Sequence, residues 1–285
     1  MKHAVRLACV ATAVFAAIVG QAIVAGPAAA ITGLVREAQN SAVNSSDKTF
    51  QADCEDDTVV TGGAGYLVAV SPSPKGKVSF AGLRPLADGS GFQVTAREVD
   101  VDFMTNWQSV AVALCAPAPS GYEVVEETSG GGSASSRTAD VTCTDPNDVA
   151  IGAGAYITGG DRRVFLESAV PDGNTVTATA HETQTGTGAS WTVTAVAVCA
   201  DEPAGWQPSS STTTAASDTY DSMSRVCPNG KEMYGTGFSI NSGAGQVLLY
   251  GLNVVPETTI RLAANEDANG YGSNWSMTTY AQCAS

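Results

Sequence analysis

Three glutamates stand at matching places in the chain. Glu98, Glu182 and Glu266 recur at one constant interval. Carboxylates about 5–9 Å apart can hydrolyse glycosidic bonds, and three around a common axis could offer oxygen ligands to Ca²⁺. The plainer reading is that each accepts hydrogen bonds inside its own unit or faces water. The other chemistry-bearing residues are few. Of the two histidines, only His181 lies beyond the first thirty residues, and its equivalents are Arg97 and Asn265. A Ser-His-Asp triad would therefore rest on one copy of a degenerate position, and a solvent-facing strand residue is expected instead. Six cysteines, Cys54, Cys115, Cys143, Cys199, Cys227 and Cys283, recur in three pairs. Each has an equivalent partner, which argues against a thiol nucleophile or a Cys/His zinc site. No catalytic residue, metal or cofactor is expected.

The spacing that exposes the glutamates organises the whole chain. Cys115, Cys199 and Cys283 follow the same interval, as do Trp107, Trp191 and Trp275. The shared pattern is A-x-E-x8-W-x5-A-x-C-A, three times without a gap. Upstream, Cys54, Cys143 and Cys227 each lead to a Gly-x-Gly (63–65, 152–154, 235–237), with an aromatic just after it: Tyr66, Tyr156 and Phe238. Tyr122 and Trp206 stand at the joins, each equally far ahead of the next cysteine, Cys143 or Cys227. Six cysteines permit fifteen pairings. The repeat favours the one that treats all units alike, with one disulfide inside each.

The local signal is β. Trp191 to Cys199 is rich in β-branched residues, and Thr175 to Thr179 alternates. Asp88-Gly89, Asp172-Gly173, Asn229-Gly230 and Asn269-Gly270 read as turns. The Ser/Gly run 129–136 and the Ser/Thr run 208–217 read as exposed loops. Even spacing puts each Trp on the strand face of its Cys, so the Trp is expected to pack over the bridge as structural core. Residues 1–30 read as a signal peptide: a basic start, an uncharged apolar run from Leu7 to Val24, and Ala28-Ala29-Ala30 for cleavage. Losing Lys2 and Arg6 with it takes the net charge from −14 to −16. That charge argues against nucleic acid and against an anionic membrane surface.

Cys227-Pro-Asn-Gly-Lys, the Gly-x-Gly with its aromatic, and the closing W-x5-A-x-C-A resemble a disulfide-bonded β repeat. It is found in secreted actinobacterial proteins of unassigned function and at the ends of some phage-tail-like fibres. The threefold plan is also similar to that of β-prism proteins such as the vitelline membrane outer-layer protein. The expected architecture is all-β, pseudo-threefold, with three tandem antiparallel units of about 84 residues, sandwich or β-prism-like. After the leader they span 31–117, 118–201 and 202–285. The expected function is that of a secreted, non-catalytic binding or structural protein, making multivalent contact with a glycan, a cell-wall polymer or a secreted partner. Tyr66, Tyr156, Phe238, Tyr122 and Trp206 are the candidate ligand contacts, although the first three could be core and the last two could seal one unit on the next. The alternatives are a carboxylate-dependent hydrolase, and a protease inhibitor presenting a stiff loop at Gly82 to Asp88.

Overall fold

A computed structural model describes residues 33–69, 73–99 and 103–285. The leader expected at 1–30 lies outside them. Each unit supplies six strands. The first has β1 (Val35–Asn40), β2 (Lys48–Asp53), β3 (Val59–Leu67), β4 (Val78–Pro85), β5 (Gly91–Glu98) and β6 (Ser109–Ala116). The second has β7 (Glu123–Thr128), β8 (Ser136–Thr142), β9 (Val149–Gly159), β10 (Val164–Asp172), β11 (Thr175–Glu182) and β12 (Trp191–Ala200). The third has β13 (Gln207–Thr212), β14 (Tyr220–Val226), β15 (Glu232–Asn241), β16 (Val247–Val254), β17 (Thr259–Glu266) and β18 (Ser276–Ala284). Tight turns join the fourth and fifth strands, with Gly89 and Gly173 at φ 75° and 59°, a conformation glycine adopts without a Cβ clash.

No unit owns a sheet. All pairing is antiparallel, in three six-stranded sheets, each half from one unit and half from another. Sheet I runs β1-β6-β3-β16-β17-β14, sheet II β2-β5-β4-β9-β12-β7, and sheet III β13-β18-β15-β10-β11-β8. The junctions are β3 with β16, β9 with β4, and β15 with β10, so the ring of units is closed. Within a unit the two half-sheets face each other across a core of alternating inward residues. Three disulfides tie the half-sheets together: Cys54–Cys115, Cys143–Cys199 and Cys227–Cys283. Each closes a loop of 56 or 61 residues, for about 4 kcal/mol in the chain-entropy account.

Two local expectations change. The tryptophans are buried, but not over the bridges. Eight residues along β12 separate Trp191 from Cys199, about 26 Å at the rise of a β-strand, so ring and bridge close opposite ends of the unit. The Ser/Thr run at 208–217 is half strand. Gln207–Thr212 is β13, an edge strand paired only with β18, where Pro208 is tolerated.

The third strands of all three units touch one another about the pseudo-threefold axis. Glycine makes that approach possible. A Cβ on Gly62 would sit 2.6 Å from Gly235 Cα. One on Gly235 would strike Ile151 O and lie 2.7 Å from Gly152 Cα, and one on Gly152 would strike Thr61 O. Backbone meets backbone in a cycle, so no side chain can move aside. Thr236 Oγ1, from unit 3, donates to Gly63 O of unit 1 beside this contact. Gly152→Ala or Gly235→Ala is expected to destabilise by about 3 kcal/mol, which is a fall in Tm on the order of 5–10 °C for a chain this long. Gly188→Ala, where an added Cβ meets nothing within 4 Å, should leave thermal unfolding nearly unchanged. Paired melting curves check this.

Candidate functional site

The three repeated acids are buried, and Glu98 and Glu182 accept hydrogen bonds from their own units. Glu98 ends β5 and is fully buried. Trp107 Nε1 donates to its Oε1 at 3.0 Å, and Phe103 N to its Oε2 at 3.0 Å. Arg162, from unit 2, reaches the same Oε2 at 3.3 Å and Asp47 at 3.0 Å. Glu182 repeats the pattern, with Trp191 Nε1 at 2.9 Å and Thr187 N at 3.2 Å. A cation lies over each of these indoles: Lys48 Nζ 3.8 Å from the Trp107 centroid, and the Arg137 guanidinium 5.4 Å from that of Trp191. Burial lowers the Lys48 amine below its ordinary value, against the opposing pull of Glu98 and Asp47. In unit 3 the equivalent residue is Asp221, paired with Ala264 as Lys48 is with Ala96. There Trp275 Nε1 donates to Asp218 O instead, at 3.0 Å. Glu266, 8% exposed, keeps a buried Oε1 with no partner among the described residues. Hydrolysis and calcium binding both require open, convergent carboxylates. Among the described residues no group of three or more His, Cys, Asp or Glu is placed to hold a metal.

The aromatic candidates separate. Tyr122, half-buried, donates its hydroxyl to Val60 O at 2.9 Å, so it bolts unit 2 onto unit 1. Burial, with Asp88 nearby, raises that hydroxyl well above its ordinary value. Trp206 packs against Ala116, Tyr234 and Ala284 and against Ile151 and Val198, at the meeting of the units. Tyr66 and Tyr156 occupy equivalent junction positions, opposite Gly251 and Gly82. Phe238 does not. The residue at that position in unit 3 is Ser239, opposite Ser168. Phe238 is one residue out of step, faces the other side of the sheet and is 1% exposed. The run Gly62-Gly63-Ala64-Gly65 hides this in the sequence, because the glycine equivalent to Gly152 and Gly235 by register is Gly62. The segment Gly82–Pro85 lies within β4, hydrogen-bonded on both sides and largely buried. Of the expected loop only the tight turn after Pro85 is exposed, at Ala87 and Asp88.

The three junctions share a frame but not a filling. Each fourth strand carries a bulge at one position, occupied by Ala81, Glu167 and Tyr250. The neighbouring strand start carries Asp47, Ser136 and Tyr220. On sheet II, Arg84 stacks on Tyr156 at 4.0 Å and Asp47 is held by Arg162. On sheet III, Glu167 interacts with His181, whose Nδ1 lies 2.8 Å from Glu182 O. On sheet I, Tyr220 and Tyr250 meet edge to face, centroids 6.3 Å apart. With Tyr66 they wall a trough of about 320 Å³. Its floor is one cross-strand row of small residues, Ser222, Ala263 and Gly251, ending at Tyr66. The next row, Ser224, Arg261 and Asn253, forms the polar side. Lys75, from unit 1, hangs over Tyr220 at 3.3 Å.

No protein-family model and no curated protein matches this chain. The trough is therefore read from its own geometry. Burial, with Tyr220 alongside, raises the Tyr250 hydroxyl above its ordinary value, so it remains a neutral donor at physiological pH. That hydroxyl has no hydrogen-bond partner among the described residues. Of the expected contacts only Tyr66 lies here. Tyr220, Tyr250, Arg261 and Lys75 have no like counterpart in the other units, and the signal that marks them is a large residue where the equivalent units carry a different kind.

Two consequences are measurable. Glu182→Ala strands two buried donors and is expected to lose about 3 kcal/mol, whereas Glu266→Ala, with an unbonded Oε1, should lose about 1 kcal/mol or less; urea midpoints compare them. Burial also pushes the Glu167 carboxyl above its unfolded value of 4.5, although His181 opposes the shift. The folded state then binds this proton more tightly, so stability falls as pH rises from 4.5 through the folded value. Glu167→Gln should flatten that part of the stability–pH curve.

Proposed function

We propose that this is an exported, non-catalytic binding protein that holds a glycan in the trough on sheet I. The observation that carries the reading is the set of three tyrosines around a floor of small residues. Aromatic rings offer flat apolar faces with a polar tip, which suit the C–H faces of pyranose rings. Serine, asparagine and arginine beside them supply hydroxyl-directed hydrogen bonds. The volume lies at the lower end for small-ligand sites, and a site partly open to solvent can admit one segment of a longer chain. The state of Glu98, Glu182 and Glu266, sequestered inside their units, favours binding over hydrolysis. The unlike fillings of the three junctions favour one site on a repeated frame over threefold multivalency. Three disulfides fit an oxidising compartment. Among the described residues no helix is long and apolar enough to cross a membrane.

Glycan microarrays and pull-down on purified cell-wall polysaccharide test the reading. Tyr220→Ala and Tyr250→Ala are each expected to weaken binding about tenfold or more, the loss of roughly 1.4 kcal/mol. Tyr156→Ala, on the equivalent face of sheet II, should leave it unchanged. Absence of binding to every glycan tested removes the proposal.

A further inference from the structure

The trough on sheet I differs from its surroundings in charge as well as in aromatic content. The chain carries 28 acidic and 14 basic residues, yet among the described residues no carboxylate lines this trough. Two other surface clefts do contain acids: one beside Pro171 and Pro208 includes Asp172, and one beside Arg97 includes Asp47 and Asp161. In the latter, Arg162 is already neutralised by Asp47 and Glu98. Arg261 and Lys75 are in a different state. Neither takes part in a salt bridge among the described residues. Arg261 is exposed in β17, between Ser224 and Asn253. Lys75 is exposed too, and its amine lies on the Tyr220 ring, 5.4 Å from the centroid of Tyr250.

We infer that the trough selects an acidic oligosaccharide, one whose sugar rings carry carboxylates. The inference rests on the glycan reading above and specifies its substrate class. A uronate presents a pyranose face for the tyrosines and, at its rim, a planar carboxylate. A guanidinium binds that group through two parallel N–H donors. Lys75 adds a mobile point charge above the aromatic wall, which a carboxylate on a second ring can draw off Tyr220. In a strongly negative protein, an acid-free cleft with two cations is the place where an anionic chain meets attraction instead of repulsion.

The test uses tetrasaccharides of galacturonate, of mannuronate and of hyaluronan, each beside its methyl ester, titrated calorimetrically into the full protein. At least one acid form is expected to bind tenfold or more tightly than its ester at low salt. That preference should shrink in 0.5 M NaCl, where the screening length is a few Å. Lys75→Ala, at an exposed position outside the trough lining, should remove most of the preference while leaving ester affinity within about threefold; Arg261→Ala should weaken both forms but the acid form more, so that the acid-to-ester ratio falls. Tyr220→Ala should weaken acid and ester alike. Equal binding of acid and ester in all three pairs overturns the inference, as does a preference that survives both cation substitutions. Tighter binding of a phosphorylated oligomannose than of any uronate also overturns it, by reassigning the anion. If neutral glycans bind and uronates do not, only this inference falls; if neither binds, the glycan reading falls with it.

Discussion

The architecture depends on one close approach. Three strands meet at the axis with glycine against backbone, Gly62 on Gly235, Gly235 on Gly152 and Gly152 on Thr61 and Gly62. Only because no side chain intervenes can the third strands come near enough for each to pair outward with the fourth strand of another unit. The shared sheets follow from that pairing, and with them the merging of three modest cores into one body. A unit on its own would have two half-sheets with unpaired edges, the condition that invites wrong partners. The disulfides act at a different place. Each joins two half-sheets of a single unit, so they set the shape of each wedge, and the axis sets how wedges combine.

Much of this is legible in the chain. One constant spacing of Trp, Glu and Cys declares three equal units, and alternation with turn glycines declares strands. The pattern A-x-E-x8-W is a hydrogen bond written in sequence: the indole of Trp107 or Trp191 reaches back to the carboxylate nine residues earlier. What the chain conceals is partnership. A half-sheet edge has the same composition whether its neighbour comes from its own unit or from the next, so sharing of sheets leaves no local mark. Register is concealed as well. Phe238 follows a Gly-x-Gly just as Tyr66 does, but a difference of one residue reverses its face.

The trough was hidden for a further reason. Repeats draw attention to what recurs, and the residues that recur here are those that pack. Tyr250 stands at a bulge where the other units have Ala81 and Glu167, and Tyr220 stands where they have Asp47 and Ser136. The scaffold is threefold while the surface chemistry is not. Unit 3 departs most, since its Trp275 and Glu266 have parted company and Asp221 replaces the cation that Lys48 and Arg137 provide. Symmetric packing with asymmetric faces is a natural outcome when a core must satisfy all three copies and a surface need not.

The ring of units has three joints but only two peptide connections. Unit 1 runs into unit 2 and unit 2 into unit 3, while unit 3 meets unit 1 through non-covalent contacts: β16 beside β3, side chains such as Arg36 and Ser79 donating to Val254 O and Leu249 O, and the packing around the axis. The trough straddles that third joint, with Tyr66 and Lys75 on one side and Tyr220, Tyr250 and Arg261 on the other. A molecule lying in it is therefore a clasp. It fastens the necklace at the one link the backbone leaves open, and by linkage it shifts the equilibrium toward the closed ring in proportion to its own affinity.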